Sequence, residues 1–288
     1  MTVAVPSTLA DAVALLADDP AAMLLGGGTD AMVEINDGHR RPGDSVIALN
    51  RVAELRSWRH DVEAGTVTIG AGVTYTEMMQ PPLAELLPAL AEAARTVGSP
   101  QIRNAGTLGG NLGTCSPAGD GLPVLAALDA RVRLVSAGGE RTLPVGEFMV
   151  GVKRTAIGPG EVIADITMPV AAGWQGYAKV GIRNAMVIAV ASACLAVDVE
   201  RRRIAVALGS VGPTIVRCTD AEHLLAEAID WSSLTVDAAT IARFGDLVSA
   251  TSRPITDHRA TADYRRHAVG ILARRLARRA IEIEGAAA

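Results

Sequence analysis

The 288-residue chain contains 49% hydrophobic, 20% charged and 3% aromatic residues, a composition that excludes an intrinsically disordered protein. Its net charge of -4 lacks the basic surplus of a nucleic-acid-binding surface. We therefore expect small molecules and other proteins as ligands, and two or three subdomains at this length.

The N-terminal region, up to about residue 55, predicts a small α/β unit. Ser7 is placed to cap an amphipathic helix that Pro20 ends. A short strand over residues 23–25 then meets a glycine cluster, a second helix is expected over 30–35, and a further strand over 45–49.

The next region alternates β-like runs with one helix. Strands are predicted over residues 66–69, 131–135 and 162–168, each bounded by glycine or proline. Pro81 and Pro82 fit the first turn of the helix, and Gly98 lies just past its end. Residues 98–120 are predicted as a long functional loop.

The chain is predicted to divide at residues 169–176, which are rich in proline, glycine and small side chains. Strands are expected over 177–209, and helices over 220–229 and 264–283. We predict a first domain over residues 1–172, with subdomains of about 1–55 and 56–172, and a C-terminal domain over 173–288.

Cysteines and histidines do not form recognisable metal or disulfide patterns. Cys115, Cys194 and Cys218 are widely separated and lack CxxC spacing, which fits a reducing cytoplasm. The five histidines show no paired ligand spacing.

The near-apolar run over 185–197 contains Ser192 and is too short to span a bilayer, so it predicts a buried strand or helix.

The first glycine cluster, Gly26-Gly27-Gly28-Thr29-Asp30, follows the predicted strand at residues 23–25. Glycines expose backbone N–H groups that can hold a diphosphate, although a plain turn explains the cluster equally well. A Rossmann site is disfavoured because the next strand ends at Asn50, where an acidic residue is needed. A nucleotide-triphosphate loop is excluded because neither Lys153 nor Lys179 follows a glycine as that motif requires.

The second cluster begins about eighty residues later and interleaves glycines with hydroxyl, amide and carboxylate groups. It reads Gln101-Ile102-Arg103-Asn104-Ala105-Gly106-Thr107-Leu108-Gly109-Gly110-Asn111, followed by Thr114, Ser116-Pro117-Ala118-Gly119-Asp120. This combination suits a ligand that carries both a diphosphate and polar sugars.

Together with Lys179-Val180-Gly181-Ile182-Arg183, these motifs resemble the FAD-binding medium subunits of the molybdenum hydroxylases, over nearly the whole chain. The resemblance implies an α+β fold: an FAD-binding domain of the vanillyl-alcohol-oxidase type in two subdomains, and a C-terminal domain of the CO dehydrogenase flavoprotein type. It implies non-covalent FAD. The implied cofactor-binding residues are Leu24, Leu25, Gly26, Gly27, Gly28, Thr29, Asp30, Gly106, Thr107, Gly109, Gly110, Asn111, Thr114, Ser116, Asp120, Ile166 and Lys179.

Within this resemblance the two glycine loops hold the diphosphate, and Lys179 lies near the flavin, where a cation would stabilise the reduced ring. Molybdopterin and 2Fe-2S clusters are expected on a large and a small partner subunit, in a dimer of heterotrimers, with NAD or a quinone as electron acceptor. No catalytic residue and no metal site are expected in this chain.

Two departures narrow the branch of the family. Thr29-Asp30 stands where carbon monoxide dehydrogenases commonly carry histidine and serine, which favours a xanthine dehydrogenase-like enzyme acting on an N-heterocycle or aldehyde. Three scattered cysteines cannot supply the extra cluster of the benzoyl-CoA reductase branch. The alternatives are a carbon monoxide dehydrogenase medium subunit, a standalone FAD oxidoreductase and a flavin-free scaffold.

Overall fold

The computed structural model describes residues 2–41 and 43–283, and it has the α+β character predicted from the sequence. A three-stranded sheet and two helices form its first unit. Their bounds are β1 Thr2–Ala4, α1 Leu9–Asp18, β2 Met23–Leu25, α2 Ala31–Asn36 and β3 Ser45–Ala48, followed by short 3-10 turns at Leu49–Arg51 and Ala53–Arg56. β3 lies between β1 and β2, parallel to both. The cap of α1 is Thr8 rather than the predicted Ser7, because the Thr8 side chain accepts the N–H of Asp11.

A five-stranded antiparallel sheet, in the order β4-β5-β10-β6-β7, organises the second unit. The strands are β4 Trp58–Asp61, β5 Thr66–Gly70, β6 Arg131–Ser136, β7 Gly139–Pro144, β8 Met149–Gly151, β9 Arg154–Thr155 and β10 Val162–Pro169. The helices are α3 Tyr75–Met78, α4 Leu83–Leu86, α5 Pro88–Thr96, α6 Pro100–Ala105, α7 Leu108–Thr114, α8 Gly121–Ala127 and α9 Val145–Phe148. β5, β6 and β10 confirm the three predicted strands.

Two predictions for this unit are wrong. The single helix expected before Gly98 is split into α4 and α5, because Pro88 starts a new helix and has no N–H to continue the old one. The long loop expected over residues 98–120 contains α6 and α7. Ser99 and Thr107 cap these two helices, and Pro100 occupies the first helical position of α6.

The third unit is a four-stranded antiparallel sheet, in the order β11-β12-β13-β14, with helices on one face. Its bounds are β11 Gly173–Val180, β12 Ala191–Asp198, β13 Arg203–Gly209, β14 Val216–Arg217, α10 Thr219–Ala228, β15 Thr235–Val236, α11 Ala238–Thr251, α12 Ala262–Ala280 and β16 Glu282–Ile283. α10 and α12 confirm the two predicted helices, and the sequence did not predict α11. The predicted division between residues 172 and 173 falls between β10 and β11.

Both faces of the third sheet are covered: helices of the second unit pack on one face, and helices of the third unit pack on the other. Cys194 and Ala196 of β12 belong to the core shared with α5 and α8, whereas Leu195 and Val197 belong to the core shared with α11 and α12. Successive strand residues point to opposite faces, so both sets become buried. The near-apolar run at residues 185–197 therefore contributes a strand. In the part of the chain that the structure describes, no helix is long and apolar enough to cross a membrane.

Candidate functional site

The two glycine clusters lie directly against each other, although about eighty residues separate them in the sequence. A Cβ atom added at Gly27 would lie 1.8 Å from the carbonyl oxygen of Ala105, so only glycine permits this approach. Gly28 adopts a φ of 72°, in the left-handed region that favours glycine. The structure thus joins residues 26–30 and 106–110 into one surface.

The backbone N–H groups of the two clusters differ in whether they are hydrogen-bonded within the protein. Among the described residues, the N–H groups of Gly27, Gly28 and Thr29 have no hydrogen-bond acceptor. Those of residues 108–111 are engaged, two by the carbonyl groups of Val73 and Ala71 and two by Thr107. Successive unpaired N–H groups form an anion-binding concavity. The first cluster therefore has the free donors that a diphosphate needs.

Thr107 fixes the second cluster in place. Its side-chain oxygen caps α7 by accepting the N–H of Gly110 at 3.0 Å, and its backbone forms an antiparallel bridge with Thr74. A Cβ atom added at Gly109 would lie 2.5 Å from Cβ of Ala71, so this glycine permits the close packing of α7 on residue 71. The cap and the packing together hold a helix whose glycine content alone disfavours it.

We expect Thr107→Ala to lower the free energy of unfolding by about 1 kcal/mol, because the N-terminal cap of α7 is lost. Thr107→Ser retains the hydroxyl and serves as the matched control, with a loss well under that of the alanine variant. Urea unfolding followed by circular dichroism measures both. Equal losses in the two variants would contradict a capping role.

Two polar contacts connect Asp30 of the first cluster, and helix α2 after it, with other parts of the structure. The hydroxyl of Thr114 donates to Oδ2 of Asp30 at 3.0 Å, so the end of α7 meets the start of α2. Lys153 Nζ lies 2.5 Å from Oε1 of Glu34, which connects α2 with the turn between β8 and β9. The pKa of Glu34 is lowered mainly by this hydrogen bond.

Asn111 presents a buried acceptor. Its Oδ1 has no hydrogen-bond partner among the described residues. A Cβ atom at Gly121 would lie 2.9 Å from Oδ1, and one at Gly119 would lie 2.6 Å from Nδ2, so both glycines make room for this amide. A buried acceptor without a donor is costly. A sugar hydroxyl could supply the missing donor, which is the fit expected for the polar part of a dinucleotide.

Asp120 is 8% exposed and is held by two side chains from β11. Tyr177 donates its hydroxyl to Oδ1 at 2.7 Å, and Lys179 Nζ lies 2.8 Å from Oδ2. Burial raises the pKa of the Asp120 carboxyl above its ordinary 3.8, while Lys179 and Tyr177 oppose that rise. The predicted residues Asp120 and Lys179 are therefore direct partners.

The remaining predicted residues occupy different environments. Leu24 and Leu25 lie half-buried on β2, immediately before the first cluster. Ser116 Oγ accepts the N–H of Ala118 at 3.3 Å, within the turn before Asp120. The side chain of Ile166 is fully buried in the hydrophobic core on β10.

The sequence did not indicate Tyr75 or Tyr177 as site residues. Tyr75 lies under Gly106, where an added Cβ would be 2.9 Å from its ring. Burial raises the pKa of Tyr75, and the charges of Asp120 and Asp30 raise it further. Tyr177 could have been found because the chain has three tyrosines and this one stands two residues before Lys179, on the same face of a strand.

Comparison with known proteins gives consistent matches along the chain. A family described as the FAD binding domain in molybdopterin dehydrogenase matches residues 1–171, and one described as the CO dehydrogenase flavoprotein C-terminal domain matches residues 177–280. A putative xanthine dehydrogenase FAD-binding subunit of Escherichia coli is 29% identical, over 97% of this chain and 95% of the relative.

Two further proteins extend this similarity. A nicotinate dehydrogenase FAD-subunit of Eubacterium barkeri is 39% identical, over 68% of each chain. The solved carbon monoxide dehydrogenase of Hydrogenophaga pseudoflava contains a chain that matches with a TM-score of 0.85 and 28% identity, over 97% of this chain and 96% of that one.

Proposed function

The chain belongs to the FAD-binding subunits of the molybdopterin dehydrogenases, and we propose that it relays electrons from 2Fe-2S clusters on a small partner subunit to an external acceptor. It is the flavoprotein subunit of an oxidoreductase complex, and its cofactor is FAD. When bound, FAD supplies the redox chemistry, because its ring accepts and releases electrons. The protein contributes position, charge and protection from solvent.

The observation that carries the proposal is the set of free N–H donors on the first glycine cluster, where it lies against the second. We propose that the N–H groups of Gly27, Gly28 and Thr29 hold the diphosphate and that Oδ1 of Asn111 accepts a sugar hydroxyl. We further propose that Asp120 and Lys179 line the site as a buried ion pair. The lysine charge near the flavin is then balanced by the aspartate.

We propose that substrate oxidation takes place on a large molybdopterin subunit, in a dimer of heterotrimers, and that NAD or a quinone accepts the electrons. A xanthine dehydrogenase-like enzyme acting on an N-heterocycle or aldehyde is supported by Thr29-Asp30 and by the similarity to xanthine and nicotinate dehydrogenase subunits. The cytoplasmic location and the domain division at residues 172 and 173 stay predictions.

Two measurements on the full chain test this proposal. The purified protein should bind FAD and show its visible absorption bands, and a colourless protein that takes up no added FAD would overturn it. Bound FAD should then be reduced by an N-heterocyclic or aldehyde substrate only when the molybdopterin and iron-sulfur subunits are both added. Reduction by substrate in the isolated chain would instead show a standalone oxidoreductase.

A further inference from the structure

The Asp120 carboxylate, at the start of α8, is bonded by two side chains from the C-terminal part of the chain. Both of its oxygens are engaged, one by Tyr177 and the other by Lys179. These two side chains are two residues apart on β11 and therefore project from the same face of the strand. Asp120 precedes the predicted division of the chain, and its two partners follow it.

Both partners of Asp120 are themselves fixed by further hydrogen bonds. The ammonium group of Lys179 has three hydrogens, and it has three acceptors: Asp120 and the carbonyl oxygens of Thr96 at 3.0 Å and Val187 at 3.1 Å. Tyr177 is 4% exposed, and its backbone N–H donates to Oε2 of Glu92 at 2.6 Å. The orientation of the carboxylate is thus set by two groups that are themselves fixed.

We propose that Tyr177 is a positioning residue for the FAD site, acting with Lys179, which the proposed function already places there. Tyr177 bonds the Asp120 oxygen that Lys179 leaves free, so the carboxylate is held in one orientation. This inference rests on the proposed place of Asp120 in the FAD site. It assigns the Tyr177 hydroxyl a role in cofactor affinity, in addition to the packing of its ring.

The other end of α8 provides a matched control. Asp129 follows this helix and also pairs with the C-terminal part of the chain, through Arg203 and through Arg217 NH1 at 2.6 Å. It has a φ of 49°, which asparagine tolerates, and its side chain is 51% exposed. Asp129→Asn therefore weakens the contact between the two parts of the chain without touching the proposed site.

The test compares Tyr177→Phe with Asp129→Asn in the full chain stripped of FAD, with FAD as the titrant and its fluorescence quenching as the signal. Tyr177→Phe removes one hydrogen bond to a buried carboxylate and should weaken FAD binding about tenfold. Asp129→Asn should leave the dissociation constant for FAD within about twofold of the wild-type value, because distant sites are coupled only weakly. Circular dichroism checks that both variants are folded.

A double variant shows whether Tyr177 acts through Asp120. In an Asp120→Asn background, Tyr177→Phe should produce little further loss, because the group that it positions has been changed. Additive losses, an unchanged dissociation constant in Tyr177→Phe, or equal losses in Tyr177→Phe and Asp129→Asn would each overturn the inference. Failure of the wild-type chain to bind FAD would instead overturn the proposed function.

Discussion

Gly27→Ala is expected to weaken FAD binding by about ten- to a hundredfold, since forced overpacking typically costs about 1–3 kcal/mol. The added Cβ would lie 1.8 Å from the carbonyl oxygen of Ala105 and 2.5 Å from its carbonyl carbon. Both are backbone atoms, so no side-chain rotation relieves the collision. The first cluster must move away from the second, and the N–H groups of residues 27–29 move with it.

Gly146→Ala is the control for this prediction. Gly146 is an exposed residue of α9, and a Cβ added there meets no atom within 4 Å. The same chemical change should leave FAD affinity unaltered and raise helix stability by up to about 1 kcal/mol. Fluorescence titration and circular dichroism measure both variants. Wild-type affinity in Gly27→Ala would show that contact between the two clusters is not needed for cofactor binding.

Local sequence pattern was sufficient for several strands and for the two glycine clusters. β5, β6 and β10 are runs of alternating β-like residues bounded by glycine or proline, and such runs are visible without knowledge of their neighbours. The first cluster follows β2 directly, so its position at a strand end was also predictable. What the pattern could not decide was whether that cluster was a plain turn or half of a binding surface.

Helix α7, which the sequence did not predict, shows why some elements could not be found from local pattern alone. Its sequence contains Gly109, Gly110 and Gly113, each of which disfavours a helix by about 1 kcal/mol relative to alanine. The helix forms because Thr107 caps it and because Gly109 packs on Ala71. Residue 71 is distant in sequence, so tertiary contact overrides the local preference.

The partners of Lys179 were hidden for the same reason. Asp120 is 59 residues away and Thr96 is 83 residues away along the chain. Lys179 is one of two lysines in the chain, but no local pattern indicates that its charge is balanced by a buried carboxylate. In the structure Lys179 belongs to a buried ion pair, and its place near the flavin stays a prediction.

Lys179→Met is expected to destabilise the protein by about 3–5 kcal/mol near neutral pH, because removing one partner of a buried pair leaves the other charge uncompensated. Lys179 and Asp120 side chains are 7% and 9% exposed, so water cannot replace the lost partner. Methionine preserves most of the side-chain volume. Such a loss is a large fraction of the stability of a folded domain, which is about 5–15 kcal/mol.

The loss of stability in Lys179→Met should become smaller at lower pH. Burial already raises the pKa of Asp120 above 3.8 in the wild type, and loss of the Lys179 charge raises it further. A carboxyl with a raised pKa in the folded state favours folding below its unfolded pKa, and this contribution is lost as pH rises through the folded pKa. The difference in unfolding free energy between wild type and Lys179→Met should therefore shrink as the pH falls from neutral through the raised pKa of Asp120.

Urea unfolding at several pH values measures this difference, and the double variant Asp120→Asn, Lys179→Met separates its cause. If the cost arises from an unpaired buried charge, removing that charge should restore much of the stability lost in the single variant. The pH dependence should disappear with it, since the titrating carboxyl is gone. A double variant as unstable as Lys179→Met, at every pH, would instead assign the loss to the bonds from Lys179 to Thr96 and Val187.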